Sequence, residues 1–336
     1  MKVEINNISK ILTRDCPKCF LCGSEGRILY ELLSDRLFGV PGTWNIMKCL
    51  KKECGLLWID PMPIADEIEK LYVSYYTHGS INQNTQGNLV KKYLWLNAWR
   101  IYRALLRLTL IRRDRVKRKH MYLENLPPGK LLDVGCGAGQ FLNVMKKKGW
   151  EVHGQDIDHK SAENALRTYG LWIDVGKLED IAYPDNSFDA ITLSHVIEHM
   201  HDPILLLSEC RKILKAGGVL VIVAPNSESF GHSYFKSCYL CLDPPRHLSL
   251  YNQKNLRNVV KKAGFSNNSQ TWTDSLDITY YSALGSIDLK NDGWHQMEST
   301  PRIIRAIYAM FFHLLSRIVL IFNNNSGEEC ILIVKK

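Results

Sequence analysis

No apolar run follows Met1-Lys2-Val3-Glu4-Ile5-Asn6-Asn7, so nothing there reads as a signal-peptide core and a cytoplasmic protein is expected. Nor is there an uninterrupted run of about 18 apolar residues that would mark a spanning helix. The nearest candidate, Ile303–Phe322, is broken by Arg305, His313, Ser316 and Arg317, which fall in one arc of an amphipathic helix. No internal repeat or low-complexity tract occurs, and 46% hydrophobic with 23% charged residues is a globular composition rather than a disordered or fibrous one. One stretch is nearly without acid: Lys91–His120 holds eleven Lys/Arg and only Asp114 against them, and carries the net charge of +9 almost alone. Such a stripe suits an anionic partner, whether a phosphate-bearing substrate, a membrane surface or nucleic acid. Cysteine is not scarce. Ten cysteines in a chain without an export signal point to metal ligands or buried thiols rather than disulfides.

Those cysteines cluster early. Cys19-x-x-Cys22-Gly23 and Cys49-x₄-Cys54-Gly55 form two knuckle-like pairs whose thiolates suit a tetrahedral structural zinc, with Cys16 as a spare ligand. The second knuckle is two residues longer than the usual C-x-x-C. Cys238-x-x-Cys241 has no matching pair and reads as packing. Residues 14–60 are thus expected to form a zinc-ribbon-like module, and residues 61–126 a helical cap or linker. Pro127-Pro128-Gly129 then punctuates the chain. Within the cap, a helix over Tyr93–Arg112 places Arg100, Arg103 and Arg107 on one face.

From residue 127 to 336, strands and helices alternate at α/β spacing. Strands are expected at Lys130–Val134, Glu151–Ile157, Leu171–Val175, Phe188–Leu193, Gly218–Ala224, Ser269–Trp272 and Cys330–Val334, the last one antiparallel. Helices are expected at Gln140–Lys148, Ser161–Tyr169, Ile204–Leu214 and Lys254–Ala263. Leu131-Leu132-Asp133-Val134-Gly135-Cys136-Gly137-Ala138-Gly139 is a strand running into a glycine turn and a helix start, the layout of a nucleotide-binding βα unit. The dinucleotide pattern G-x-G-x-x-G would need a glycine at position 140, where Gln140 stands. Asp133 also puts an anion near the place of a pyrophosphate. The turn therefore favours a cationic ligand, and S-adenosylmethionine carries a sulfonium, an ammonium and no phosphate.

Four blocks, in order and spacing, then resemble the class I S-adenosylmethionine-dependent methyltransferases. They are the glycine turn, Val152-His153-Gly154-Gln155-Asp156-Ile157, Phe188-Asp189-Ala190-Ile191, and Leu214-Lys215-Ala216-Gly217-Gly218-Val219-Leu220. The resemblance implies a doubly wound, seven-stranded Rossmann-like sheet whose last strand is antiparallel. It also implies roles. Gly135, Gly137 and Gly139 would pass under the methionine moiety, and Asp133 would orient that turn and complement the ammonium directly or through water. Asp156 would accept both ribose hydroxyls, Ile157 and the segment around Leu178 would cover the adenine, and Ser194 would sit near the methionine. Gly55-Leu56-Leu57-Trp58-Ile59-Asp60-Pro61 is similar to the exit from zinc-ribbon modules that precede methyltransferase domains of bacterial sugar and polysaccharide pathways.

His195-Val196-Ile197-Glu198-His199 matches the H-x-x-E-H pattern of some zinc peptidases. Its place directly after the fourth strand, before Asp202-Pro203, argues instead for a turn beneath a substrate pocket, with Glu198 or His199 as pocket groups. On the acceptor side, Asp243–Tyr251 supplies His247 as candidate base and Arg246 as candidate anion contact. The expected protein is a methyltransferase with bound S-adenosylmethionine and structural zinc, acting on a small-molecule acceptor such as a sugar nucleotide, as a homodimer or against a membrane. Two alternatives stand beside it: an RNA methyltransferase gripping phosphates with the zinc module and basic helix, and a non-catalytic S-adenosylmethionine-binding protein. The basic stripe lacks the Gly/aromatic signatures of common RNA modules, and N-P-P-Y is absent.

Overall fold

The computed structural model describes residues 11–72, 100–102, 104–105, 111–290 and 302–336. Most of the helix expected over Tyr93–Arg112, including Arg103 and Arg107, lies outside them.

The N-terminal part is built from short strands. β1 (Thr13–Arg14) pairs with β5 (Met62–Pro63), while β2 (Gly26–Leu33), β3 (Trp44–Cys49) and β4 (Leu57–Asp60) form a meander. The large sheet begins with β6 (Lys130–Val134), β7 (Glu151–Asp156), β8 (Ile173–Val175), β9 (Phe188–Ser194) and β10 (Leu214–Pro225). A two-residue strand, β11 (Ser249–Leu250), follows, then β12 (Gln270–Asp274) and β13 (Glu329–Lys335). Seven of these strands run in the order β12-β13-β10-β9-β6-β7-β8. Pairing is parallel from β8 to β10, and β13 is antiparallel to both β10 and β12. This is the doubly wound, Rossmann-like topology that the resemblance implies, with the terminal strand reversed as expected, and the helices Asp277–Lys290 and Arg302–Phe322 lie between β12 and β13.

The alternation follows from local chemistry. β6, β9 and β10 are covered on both faces and read as nearly continuous runs of Leu, Ile and Val. The helix Pro203–Ile213 starts where Asp202 accepts the Leu205 amide and Pro203 occupies the first turn, and it buries Leu206, Leu207, Cys210 and Ile213. The helix His159–Tyr169 is capped by Asp158 and stops at left-handed Gly170. Two starts moved. The third strand begins at Ile173, not Leu171, and the first helix ends at Lys146 rather than Lys148.

The cysteine-bearing meander is not hung on a linker. β11 completes its sheet in the order β11-β4-β3-β2, pairing Ser249 with Trp58 and Leu250 with Leu57. The Leu248 carbonyl accepts from the Ile59 amide, and the Asn255 side chain donates to the Cys54 carbonyl. Leu21, Met47, Leu56 and Trp58 share one apolar core with Leu193, Ile222, Leu256 and Val259 of the large sheet and its helices.

The helix Arg302–Phe322 turns its polar arc inward. Arg305, His313 and Ser316 are buried, and Arg317 pairs with Asp274 and Asp114. Ile304, Phe311, Ile321 and Phe322 face outward instead. By length and composition alone, Ile303–Phe322 is long and apolar enough to cross a membrane.

Candidate active site

The glycine turn lies at the carboxyl end of β6, where doubly wound sheets bind ligands. Gly135, Gly137 and Gly139 have φ of +65°, +52° and +73°, a run that only glycine adopts without strain. At Gly135 a Cβ would meet Val196 Cγ2 at 2.5 Å, whereas at Gly137 nothing lies within 4 Å. The turn is thus packed underneath at one glycine and open above another. Gly135→Ala is expected to cost about 2–4 kcal/mol of stability and Gly137→Ala only about 1–2 kcal/mol, read from denaturant midpoints. Equal losses would contradict this division.

The carboxylates divide the same way. Asp156, half-buried at the end of β7, accepts the Gly137 amide on Oδ2 (2.7 Å) and the Asp158 amide on Oδ1 (2.9 Å). Each oxygen keeps a further lone pair, so the group stands ready for two more donors. Ile157 beside it is 48% exposed, as a residue that covers a planar ligand must be. Asp133 lies under the turn, buried, and accepts from the Thr192 hydroxyl at 2.6 Å. Burial pushes its carboxyl up to about 7. Its hydrogen bond points into the sheet, which suits orienting the turn better than a direct contact with an ammonium. Leu178 opens a short 3₁₀ turn and is packed into the core, with Lys177 and Glu179 exposed on either side.

Ser194 ends β9 and accepts from Arg118 Nη2 at 3.1 Å. Arg118, from the helix Ile111–Lys119, also makes a two-pronged ion pair with Glu329 at the start of β13. Glu329 in turn accepts from His195 Nε2 at 2.8 Å. Burial disfavours charge on His195, yet Glu198 and Glu329 outweigh it and push the imidazole up to about 9. Arg118, Glu329 and Gln155 brace these strand ends and were not singled out in the sequence. Gln155 Oε1 accepts the Gly135 amide and its Nε2 donates to the Gly176 carbonyl, fixing the turn from the neighbouring strand. Its signal was present in the Gln155-Asp156 pair. Glu329 gave none, because its partners lie far off in sequence.

One expectation on the acceptor side meets different geometry. Arg246 is only 1% exposed, and its guanidinium is taken up by Asp35 (2.7 and 2.9 Å) and Asp243. It is an internal tie between the N-terminal part and the loop, not an anion contact. The segment His195–His199 is a turn after β9, as expected, and not the helix that an H-x-x-E-H metal site would need. His195 has φ +55° and turns to Glu329, while Ile197–His199 forms a single 3₁₀ turn. His247 is 9% exposed, donates Nδ1 to the Cys241 carbonyl (2.7 Å) and packs edge-on to His199, ring centres 4.7 Å apart.

The four predicted zinc ligands do converge. One sulfur from each of Cys19, Cys22, Cys49 and Cys54 lies within 4.8 Å of the others. Cys19 and Cys54 are 3.7 Å apart and Cys22 and Cys49 3.4 Å. A tetrahedron with Zn–S bonds of about 2.3 Å has edges of about 3.8 Å, so the donor set fits zinc. Cys16 is not in the cluster. Its amide donates to Asp60 and its carbonyl accepts from Trp58 Nε1.

Residues 108–270 match the family model described as a methyltransferase domain. A probable S-adenosylmethionine-dependent methyltransferase of Mycolicibacterium smegmatis is 27% identical over 165 residues, 48% of this chain and 60% of that protein. A ubiquinone biosynthesis O-methyltransferase of Cereibacter sphaeroides is 36% identical over 97 residues, 27% of this chain and 39% of that protein. Among solved structures, a SAM-dependent methyltransferase from Archaeoglobus fulgidus aligns with a TM-score of 0.45 at 21% identity, over 68% of this chain and 94% of its own. The chain thus spans 39% to 60% of the length of these curated relatives.

Proposed function

From the match of residues 108–270 to a methyltransferase domain model, we propose that this protein is a class I methyltransferase that transfers the methyl group of S-adenosylmethionine to a small-molecule acceptor. Asp156 is the observation that carries the reading. It is a carboxylate at the tip of the second strand, already bonded to the glycine turn and ready to accept ribose hydroxyls. The open space above Gly137 supports it. Methyl transfer is an in-line displacement at carbon, so proximity and orientation supply most of the rate, with a base added only where the acceptor must lose a proton.

Structural zinc on Cys19, Cys22, Cys49 and Cys54 belongs to the same proposal, as does an acceptor of the sugar-nucleotide or polysaccharide-precursor class. The converged thiols support the first; the second rests on the module's resemblance alone. Calorimetric titration of the zinc-loaded protein should show heat for S-adenosylmethionine and S-adenosylhomocysteine and none for NAD. The reverse pattern would sink the proposal. Extracts incubated with isotope-labelled donor and analysed by mass spectrometry would then identify the acceptor.

A further inference from the structure

We infer that Glu198, His199 and His247 form a second metal site, for a divalent transition ion, distinct from the cysteine cluster. One donor atom of each lies within 4.8 Å of the other two. Four thiolates suit zinc, whereas two imidazoles and a carboxylate with open positions also suit harder ions such as Mn²⁺, Fe²⁺ or Co²⁺. The grouping differs from the one the H-x-x-E-H pattern suggests. His195 has gone to Glu329, and its place is taken by His247 from a loop far along the chain.

The tautomers are set for ligation. His199 Nδ1 lies 3.0 Å from the Arg246 carbonyl and 2.9 Å from the Tyr72 hydroxyl, and His247 Nδ1 lies 2.7 Å from the Cys241 carbonyl. A carbonyl can only accept, so each Nδ1 carries the proton and each Nε2 presents a lone pair. Metal-binding histidines are oriented in this way, with the far nitrogen tied to a backbone carbonyl or carboxylate. Asp243, held by Arg246, stands 4.0 Å from His247 Nε2 and places a further negative charge beside the site.

Glu198 supplies the independent observation. Its side chain is fully buried, yet neither Oε1 nor Oε2 has a hydrogen-bond partner. His195 Nδ1 approaches Oε1 at 3.2 Å, an ion pair without hydrogen-bond geometry. A buried carboxylate without hydrogen bonds is costly unless cations meet it, and His195 reaches Oε1 alone, which leaves Oε2 for a further cation. Backbone geometry holds the three in place, since the Glu198 carbonyl accepts the Leu248 amide next to His247. His199 is only half-buried and leaves one side open to an oxygen donor from solvent or ligand.

The test needs no turnover and is independent of the methyl-transfer reading. The full chain, loaded with one equivalent of zinc to fill the thiolates, is titrated with Mn²⁺ while electron paramagnetic resonance counts the free ion. About one Mn²⁺ should bind per wild-type chain. Glu198→Gln and His247→Asn should each weaken it at least about a hundredfold, given that even outer-shell changes cost 10–100-fold. Both variants should keep their zinc equivalent, which reports that they remain folded. Absence of stoichiometric Mn²⁺ binding to the wild-type chain overturns the inference. So does Mn²⁺ affinity unchanged in both variants. Should either variant fail to fold, the wild-type stoichiometry decides.

Discussion

Replacing Asp156 by Ala is expected to weaken S-adenosylmethionine binding at least about tenfold and up to about a hundredfold. Hydrogen bonds to a charged acceptor are worth roughly 1.5–3 kcal/mol each, and two ribose hydroxyls would share this carboxylate. The structure adds a second loss. Asp156 Oδ2 also holds the Gly137 amide, so the alanine variant releases the turn that would lie beneath the methionine moiety on the proposed reading. Asp156→Asn separates the two contributions, because the amide can still accept from Gly137 on one oxygen without offering a charge. Its affinity should fall between wild type and Asp156→Ala. Calorimetry on the three proteins measures this directly, and equal affinity for all three would remove Asp156 from the cofactor site. Burial pulls the Asp156 carboxyl upward while the backbone amides oppose it.

The second large effect concerns the thiolates. A Cys19→Ser/Cys54→Ser variant should lose one zinc per chain and a large part of its stability, seen as a lowered unfolding midpoint by circular dichroism. Structural zinc contributes about 10–16 kcal/mol of apparent binding free energy in small zinc modules. Here the effect should not stay local. Cys19 and Cys54 belong to the same core as Leu256 and Val259, and the Cys54 carbonyl accepts from Asn255 of the helix Gln253–Lys262. Chelation of the wild-type protein should reproduce the loss, and readdition of zinc should reverse it. A midpoint unmoved by either treatment would mean that the sulfurs are packing groups.

Much of the large sheet was legible because its signals are local. Apolar runs bounded by Gly, Pro and Asp gave β6, β7, β9, β10 and β13 to within a few residues. The glycine turn and Asp156 were legible for the same reason, since each sits at the carboxyl end of a strand, β6 and β7 respectively. The cysteine set could be read because knuckle spacing is itself local. What escaped was everything set by distant partners. Arg246 looks like an anion contact until Asp35 is seen beside it, and Glu329 looks like any strand-start carboxylate until Arg118 and His195 close on it. By contrast, the His195–His199 segment was legible as a turn rather than a helix from its place directly after β9, and it is a left-handed residue followed by a 3₁₀ turn.

The pairing of Ser249–Leu250 with Leu57–Trp58 bears on the order of assembly during synthesis. The knuckles leave the ribosome early, but their sheet keeps an unpaired edge until more than half of the remaining chain has emerged. An open edge strand is a template for association with other chains, and a contact so distant in sequence closes slowly. Nascent chains halted before residue 249 are therefore the species most prone to clump, and a shortened gene that ends there would yield aggregate rather than a free-standing metal module.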